Sequence, residues 1–254
     1  MTDWIAALGA ERGLVALAGA GGKKTALQRI AREHPGRVAA TATTFTASLT
    51  AIGDDVRNVE DTGEGTPLPA AALDSEARRT CLLGAATKPG RRDPLSPGRV
   101  AALHREGGFD ATLVKADGAR MRGLKAPREG EPVLPPGTET VIGLMAIPVL
   151  GAPLDGDHAH RVERLAAVTG LEPGAALTVE ALARVIAHPQ GLFRDCNGAR
   201  RVAVINQVDD AARREQAEAV AQRALALGAP VERVVLTCLI AAEPVVAVVE
   251  GAGR

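Results

Sequence analysis

The segment Gly19–Thr25, GAGGKKT, has the most chemically specific spacing in the sequence. An apolar run, Leu14 to Ala18, leads into it, and Leu27, Ile30, Ala31 and His34 follow at the spacing of one helix face. Between a strand and a helix, Gly19, Gly21 and Gly22 let the backbone adopt left-handed conformations. Successive N–H groups, that of Ala20 included, can then turn toward one anion. The helix start adds partial positive charge, and Lys23 is placed to reach the β- and γ-phosphates of a nucleotide, with Lys24 and Thr25 beside it. The plain alternative is a glycine-rich turn next to a surface lysine pair.

The spacing resembles the variant loop KGGxGKT of deviant P-loop ATPases and their GTPase relatives, with Gly19, Gly22 and Lys23 aligned and Ala18 in place of the signature lysine. Lys24 occupies the slot where Ser or Thr ordinarily ligates Mg²⁺, and Thr25 stands one residue further on. Asp117, in VKADGAR at the carboxyl end of an apolar strand, matches the acidic residue that such folds use toward Mg²⁺. Lys23 and Asp117 are therefore the candidate catalytic pair of an Mg²⁺-dependent NTPase, and Thr25 and Asp117 the candidate metal ligands. Asn206–Asp209, NQVD, resembles the NKxD element of guanine-nucleotide proteins, in which a carboxylate reads the purine N1–H and 2-amino group. Asp209 is equally suited to capping the helix that begins near Ala211.

Four cationic or titratable positions form a candidate substrate or phosphate clamp: Arg120 and Lys125 in the loop after Asp117, and His160 and Arg161 at a helix start. Hydroxyls of Thr41, Thr43 and Thr44 end the second strand, where threonine is also simply a good strand residue. Asp155, Asp157, His158 and His160 could hold a metal, although loop composition explains them as well. GxSxG and HExxH are absent.

The elements that must position these residues alternate. Strands are expected at Leu14 to Ala18, Arg37 to Thr46, Cys81 to Ala86, Asp110 to Ala116, Thr140 to Met145, Arg201 to Asn206, Arg233 to Leu239 and Val245 to Glu250. Helices are expected after the glycine loop, after Ser96-Pro97, around Ala159 to Thr169, after the Thr178 cap, and along the Ala217, Val220, Ala224, Leu227 stripe. This is an α/β fold, a mostly parallel sheet flanked by helices and P-loop NTPase-like with a deviant phosphate loop. A single domain over 1–254 is expected, with long functional loops near 54–69 and 117–136.

Composition narrows the function classes. Lys+Arg 30 against Asp+Glu 30 and an aromatic content of 2% argue against a nucleic-acid partner, which needs basic surplus or stacking platforms. The three cysteines lack metal-ligand spacing and read as free thiols of a cytoplasmic protein. Val141 to Leu154, the longest apolar stretch, is too short to span a membrane.

Taken in order, GAGGKKT, the threonine-rich TATT, VKADGARMRGLKAPREGEPVLP, HRVE and NQVD resemble the selenium-dependent hydroxylase accessory protein family labelled YqeC. That family reads GAGGKTT, TTTH, VEADGSRGRPLKAP, HRPE and NKxD, and the most specific part here is Asp117, Gly118, Arg120, Leu124, Lys125, Ala126 and Pro127. The resemblance runs from about Leu14 to Asp209, with Lys24, Lys115 and Gln207 standing where the family has Thr, Glu and Lys. It implies a cytoplasmic nucleotide-binding factor, taking ATP or GTP with Mg²⁺, that serves molybdenum hydroxylases or their maturation factors. The alternative is a non-catalytic carrier of an anionic, molybdopterin-like cofactor.

Overall fold

A computed structural model describes residues 3–196 and 198–251. Helix α1 (Trp4–Ala7) precedes β1 (Gly13–Gly19), α2 (Lys23–Glu33), β2 (Val38–Ala42), β3 (Val56–Glu60), α3 (Ala70–Leu73), β4 (Arg79–Leu83), α4 (Pro97–Gly107) and β5 (Ala111–Lys115). Then come β6 (Leu124–Lys125), β7 (Thr138–Ala146), a 3₁₀ turn (Ile147–Val149), β8 (Ala159–His160), α5 (Val162–Thr169) and α6 (Val179–Ala187). The last elements are β9 (Arg200–Asn206), α7 (Ala211–Ala226), β10 (Arg233–Thr237) and β11 (Val245–Glu250).

Nine strands form one sheet in the order β11-β10-β9-β7-β1-β5-β2-β4-β3, all neighbours parallel except the β10–β11 pair. The α/β architecture with a mostly parallel, helix-flanked sheet is thus as expected. Every residue of β1 is buried, as a central parallel strand requires when both its faces are covered. Val15 and Leu17 pack on one face with Leu27 and Ile30 of α2, while Ala16 and Ala18 join the opposite cluster with α6 and α7.

Local signals act as expected at several ends. Ser96 accepts from the Arg99 N–H with Pro97 in the first helical turn, Gly108 closes α4 in the left-handed region, and Thr178 caps α6. Among the described residues no helix is long and apolar enough to cross a membrane.

Three expectations need correction. The second strand stops at Ala42, so Thr43 and Thr44 lie beyond it, and β5 sits between β1 and β2. The threonines are therefore one strand removed from the glycine loop. The helix expected from Ala159 begins at Val162, because Ala159–His160 pairs in parallel with Leu124–Lys125 as a separate two-stranded sheet. Finally, Asp210 rather than Asp209 caps α7, accepting from the Arg213 N–H.

Candidate functional site

Parallel register brings the carboxyl ends of β1, β5 and β7 together, with Leu17 opposite Lys115 and Gly19 opposite Leu144. In parallel sheets this is the end at which ligands bind. The chain leaves β1 through Gly19 with φ of 89°, and a side chain there would place Cβ 2.2 Å from the Leu144 carbonyl oxygen. Gly22, with φ of 132°, opens α2, and its Cβ would lie 2.5 Å from Nδ2 of Asn206. Glycine is required at both positions by backbone conformation and by close approach.

The loop's first three N–H groups are engaged by the protein. Gly19 donates to Asp117 Oδ2 at 2.9 Å, Ala20 to the Leu144 carbonyl at 2.8 Å, and Gly21 to the Arg122 carbonyl at 3.1 Å. Among the described residues, the amides of the first turn of α2 have no acceptor. Any anion grip thus begins at the helix N-terminus rather than along the whole heptapeptide.

Behind the loop lies a buried chain of charge. Lys23, 6% exposed, folds back to donate to the Gly19 carbonyl, and its ammonium stands 3.0 Å from Asp117 Oδ1. That last contact is ionic without the alignment of a hydrogen bond. Lys125, fully buried, donates to Asp117 Oδ2 at 2.7 Å and reaches Glu131 Oε2 at 2.6 Å. Arg161 closes on both oxygens of Glu131 at 2.7 Å, a bidentate fork, and Arg128 approaches Oε1 at 3.1 Å. The β6–β8 pairing places Lys125 opposite His160 and so brings the neighbouring Arg161 to the carboxylate, Glu131, that Lys125 also meets.

The pKa directions follow from this crowding. Burial lowers Lys23, with Asp117 acting against it. For Glu131, burial pushes upward, but hydrogen bonds from Arg161 and Lys125 win and hold the carboxyl at about 2. Burial, reinforced by Arg161, Lys125 and Arg120, brings His160 to about 4, so its imidazole is neutral at pH 7. Lys115, donating to Thr44 Oγ1 and the Phe45 carbonyl at 3.1 Å each, is brought to about 8 by burial and by the neighbouring Lys23 charge. Lys23, Lys125 and Arg161 stand against the two carboxylates Asp117 and Glu131, and Lys115 adds further positive charge. The cluster has a cation surplus.

Asn206, buried at the end of β9, donates to the Gly21 carbonyl at 2.8 Å. Its Oδ1 accepts from Thr237 Oγ1 at 3.1 Å and from the Leu239 N–H at 3.2 Å. It thereby ties the glycine loop to the ends of β9 and β10. Asp209 is exposed, accepting from Arg213 at 2.7 Å and from Cys238 Sγ at 3.2 Å. Arg120 is exposed in a left-handed turn, and Lys24 and Thr25 are exposed in the first turn of α2. Thr43 Oγ1 donates to the Val133 carbonyl at 2.6 Å, strapping the loop after Asp117 to the end of β2.

The residues do not fit Mg²⁺ held directly by Asp117. Each carboxylate oxygen already faces an ammonium group, one also accepts the Gly19 N–H, and Thr25 points to solvent. A hard dication requires oxygen ligands that it does not share with two lysines. Sequence reasoning passed over Glu131, although EGEPVLP was in view, because its partner Arg161 lies thirty positions away.

A family model described as YqeC protein matches residues 15–163. Over 141 residues the chain is 36% identical to the "Uncharacterized protein YqeC" of Escherichia coli (strain K12), an alignment covering 55% of each. The chain spans about half the length of this curated relative. The buried charge chain lies wholly within the matched segment, whereas Asn206 and Asp209 lie outside it.

Proposed function

From its place in the YqeC family, to which the chain belongs, we propose that this protein is a nucleotide-binding accessory factor for the maturation of selenium-dependent molybdenum hydroxylases, acting in the cytoplasm. The observation that carries the nucleotide reading is the Asn206 bridge: one side chain joins the glycine loop to the NQVD segment across 185 positions. A phosphate site and a base-reading segment are of use to one ligand only when held together. In a P-loop-like arrangement the phosphates sit at the N-terminus of α2, where the first-turn amides and the helix dipole supply positive charge. Lys23 swings from Asp117 to the phosphate, and Asp117 remains paired with Lys125. Asp209 then reads the purine edge, favouring GTP over ATP, after releasing Arg213.

One observation favours the carrier alternative. With both oxygens of Asp117 occupied by lysines, the site grips an anion without an evident route to metal-assisted γ-phosphate transfer. A phosphorylated, molybdopterin-like anion would use the same lysine and amides.

Thermal melting with ATP, GTP, their diphosphates and a pterin phosphate tests both readings, since a ligand bound to the native state alone raises its stability. Stabilisation by GTP or ATP is the expected result. Stabilisation by the pterin phosphate alone would install the carrier instead, and no shift with any of them would remove phosphate binding altogether.

A further inference from the structure

Asp117 stands where a divalent cation is expected, yet the position beside it is filled from within the chain. The Lys125 ammonium is fully buried between Asp117 Oδ2 at 2.7 Å and Glu131 Oε2 at 2.6 Å. Its place is fixed from both sides: β6, which carries it, is paired to β8, and Glu131 is held by the Arg161 fork. Asp117 Oδ2 also accepts the Gly19 N–H, so the same oxygen that meets Lys125 sets the exit of β1 into the loop.

A buried lysine is costly to keep charged, and carboxylate partners offset that cost. Here two carboxylates do so, and in return Lys125 neutralises the charge that Asp117 would otherwise present to an incoming phosphate. A metal ion at such a position would offset the carboxylate and also ligate phosphate oxygens; Lys125 performs the first task and leaves the second to Lys23 and the helix amides.

We propose that Lys125 is a built-in counter-ion that takes the place of Mg²⁺ at Asp117, so that phosphate-bearing ligands bind at the N-terminus of α2 independently of divalent metal. This rests on the phosphate-binding reading above. Lys125 is a positioning residue, acting on the ligand through Asp117 and the Gly19 amide. Lys23 remains the cation that touches phosphate, and its partner oxygen, Asp117 Oδ1, is the one that keeps no aligned hydrogen bond.

The test is titration calorimetry of the protein with GTP and with ATP, each in EDTA and in excess Mg²⁺, together with electron paramagnetic resonance of Mn²⁺ added alone. For the wild-type protein, affinities with and without Mg²⁺ should agree within about threefold, and no protein-bound Mn²⁺ signal should appear. In Lys125→Met, which keeps the stem and removes the charge, Asp117 Oδ2 and Glu131 Oε2 lose their shared ammonium and become available to a cation. Nucleotide affinity in EDTA should fall by about tenfold or more, Mg²⁺ should restore most of it, and a bound Mn²⁺ signal should emerge.

Wild-type binding that requires Mg²⁺ would overturn the inference while leaving nucleotide binding intact. A Lys125→Met protein that binds equally in both buffers would overturn it too, reducing Lys125 to a structural ion pair. No binding by the wild type in either buffer would remove the underlying reading and this inference with it. Should Lys125→Met fail to fold, the wild-type metal dependence and Mn²⁺ spectrum decide alone.

Discussion

The two segments expected as long loops, 54–69 and 117–136, differ in charge, the first acidic around strand β3 with Arg57 as its one cation, the second basic, with Arg120, Arg122, Lys125 and Arg128 against Asp117, Glu129 and Glu131, and the structure uses them in opposite ways. In the first, Arg99 of α4 meets Asp61 with both Nε and Nη2, and its remaining donors end on the carbonyls of Thr66 and Pro67. Arg99 and Asp61 are both buried, with one cation for one carboxylate. The second loop contributes Asp117, Lys125 and Glu131 to a chain completed by Lys23 and Arg161, where cations exceed carboxylates and one oxygen of Asp117 lacks an aligned donor. A buried ion cluster that closes on itself anchors a loop. One left with surplus charge beside free helix amides is equipped to receive something.

The sharpest way to break this contrast is to remove one cation from each. Arg99→Met strands the buried Asp61 and should cost about 3 kcal/mol of stability in denaturant unfolding, with nucleotide affinity unchanged. Lys23→Met should do the reverse: stability shifts by less than about 1 kcal/mol, because Asp117 keeps Lys125 and the Gly19 amide, while affinity for GTP or ATP drops about tenfold or more in calorimetry. If the two variants lose similar stability, the distinction between closed and surplus clusters fails.

A pH series sharpens the comparison at smaller effect. Lys115 carries a folded-state pKa of about 8, below its ordinary 10.5, so it loses its charge as pH rises through that value. Phosphate affinity should weaken by roughly threefold between about pH 7 and 9, and Lys115→Met should flatten the profile. The sign for stability is opposite. An unfolded lysine retains the proton that the folded one releases, so the folded state gains stability between pH 8 and 10.5. The smallest structural effect belongs to Asp209→Asn, since that side chain is exposed: stability should stay within about 0.5 kcal/mol. Any preference for GTP over ATP should vanish in competition binding, and a preference that survives would unseat Asp209 as the base reader.

Much of this was legible in the sequence where local forces decide. The apolar runs of β1, β5, β7, β9 and β10, the caps at Ser96 and Thr178, and the strand-loop-helix around the glycines all depend on neighbours within a few positions. Asp117 and Lys125 were visible because their loop motif is contiguous, and the structure brings both to Lys23. The sheet order was not legible, because nothing in the runs themselves states that β5 inserts between β1 and β2. Glu131 escaped for a similar reason, since its function is defined by Arg161 in another element. The engagement of the Gly19, Ala20 and Gly21 amides was equally hidden, because their acceptors are supplied by β7 and by the loop after β5.

That insertion of β5 has a consequence for how the chain is made. Strand β1, buried from end to end in the finished sheet, pairs with residues 111–115 on one side and 138–144 on the other. During synthesis at roughly 5–20 residues per second, about 5–20 seconds pass between the emergence of β1 and that of β5. Through this interval an apolar, uncharged segment, GLVALAG, has both edges open to any other strand. Packing of α2 covers one face of β1 early, but its two edges find their native partners only when the middle third of the chain arrives.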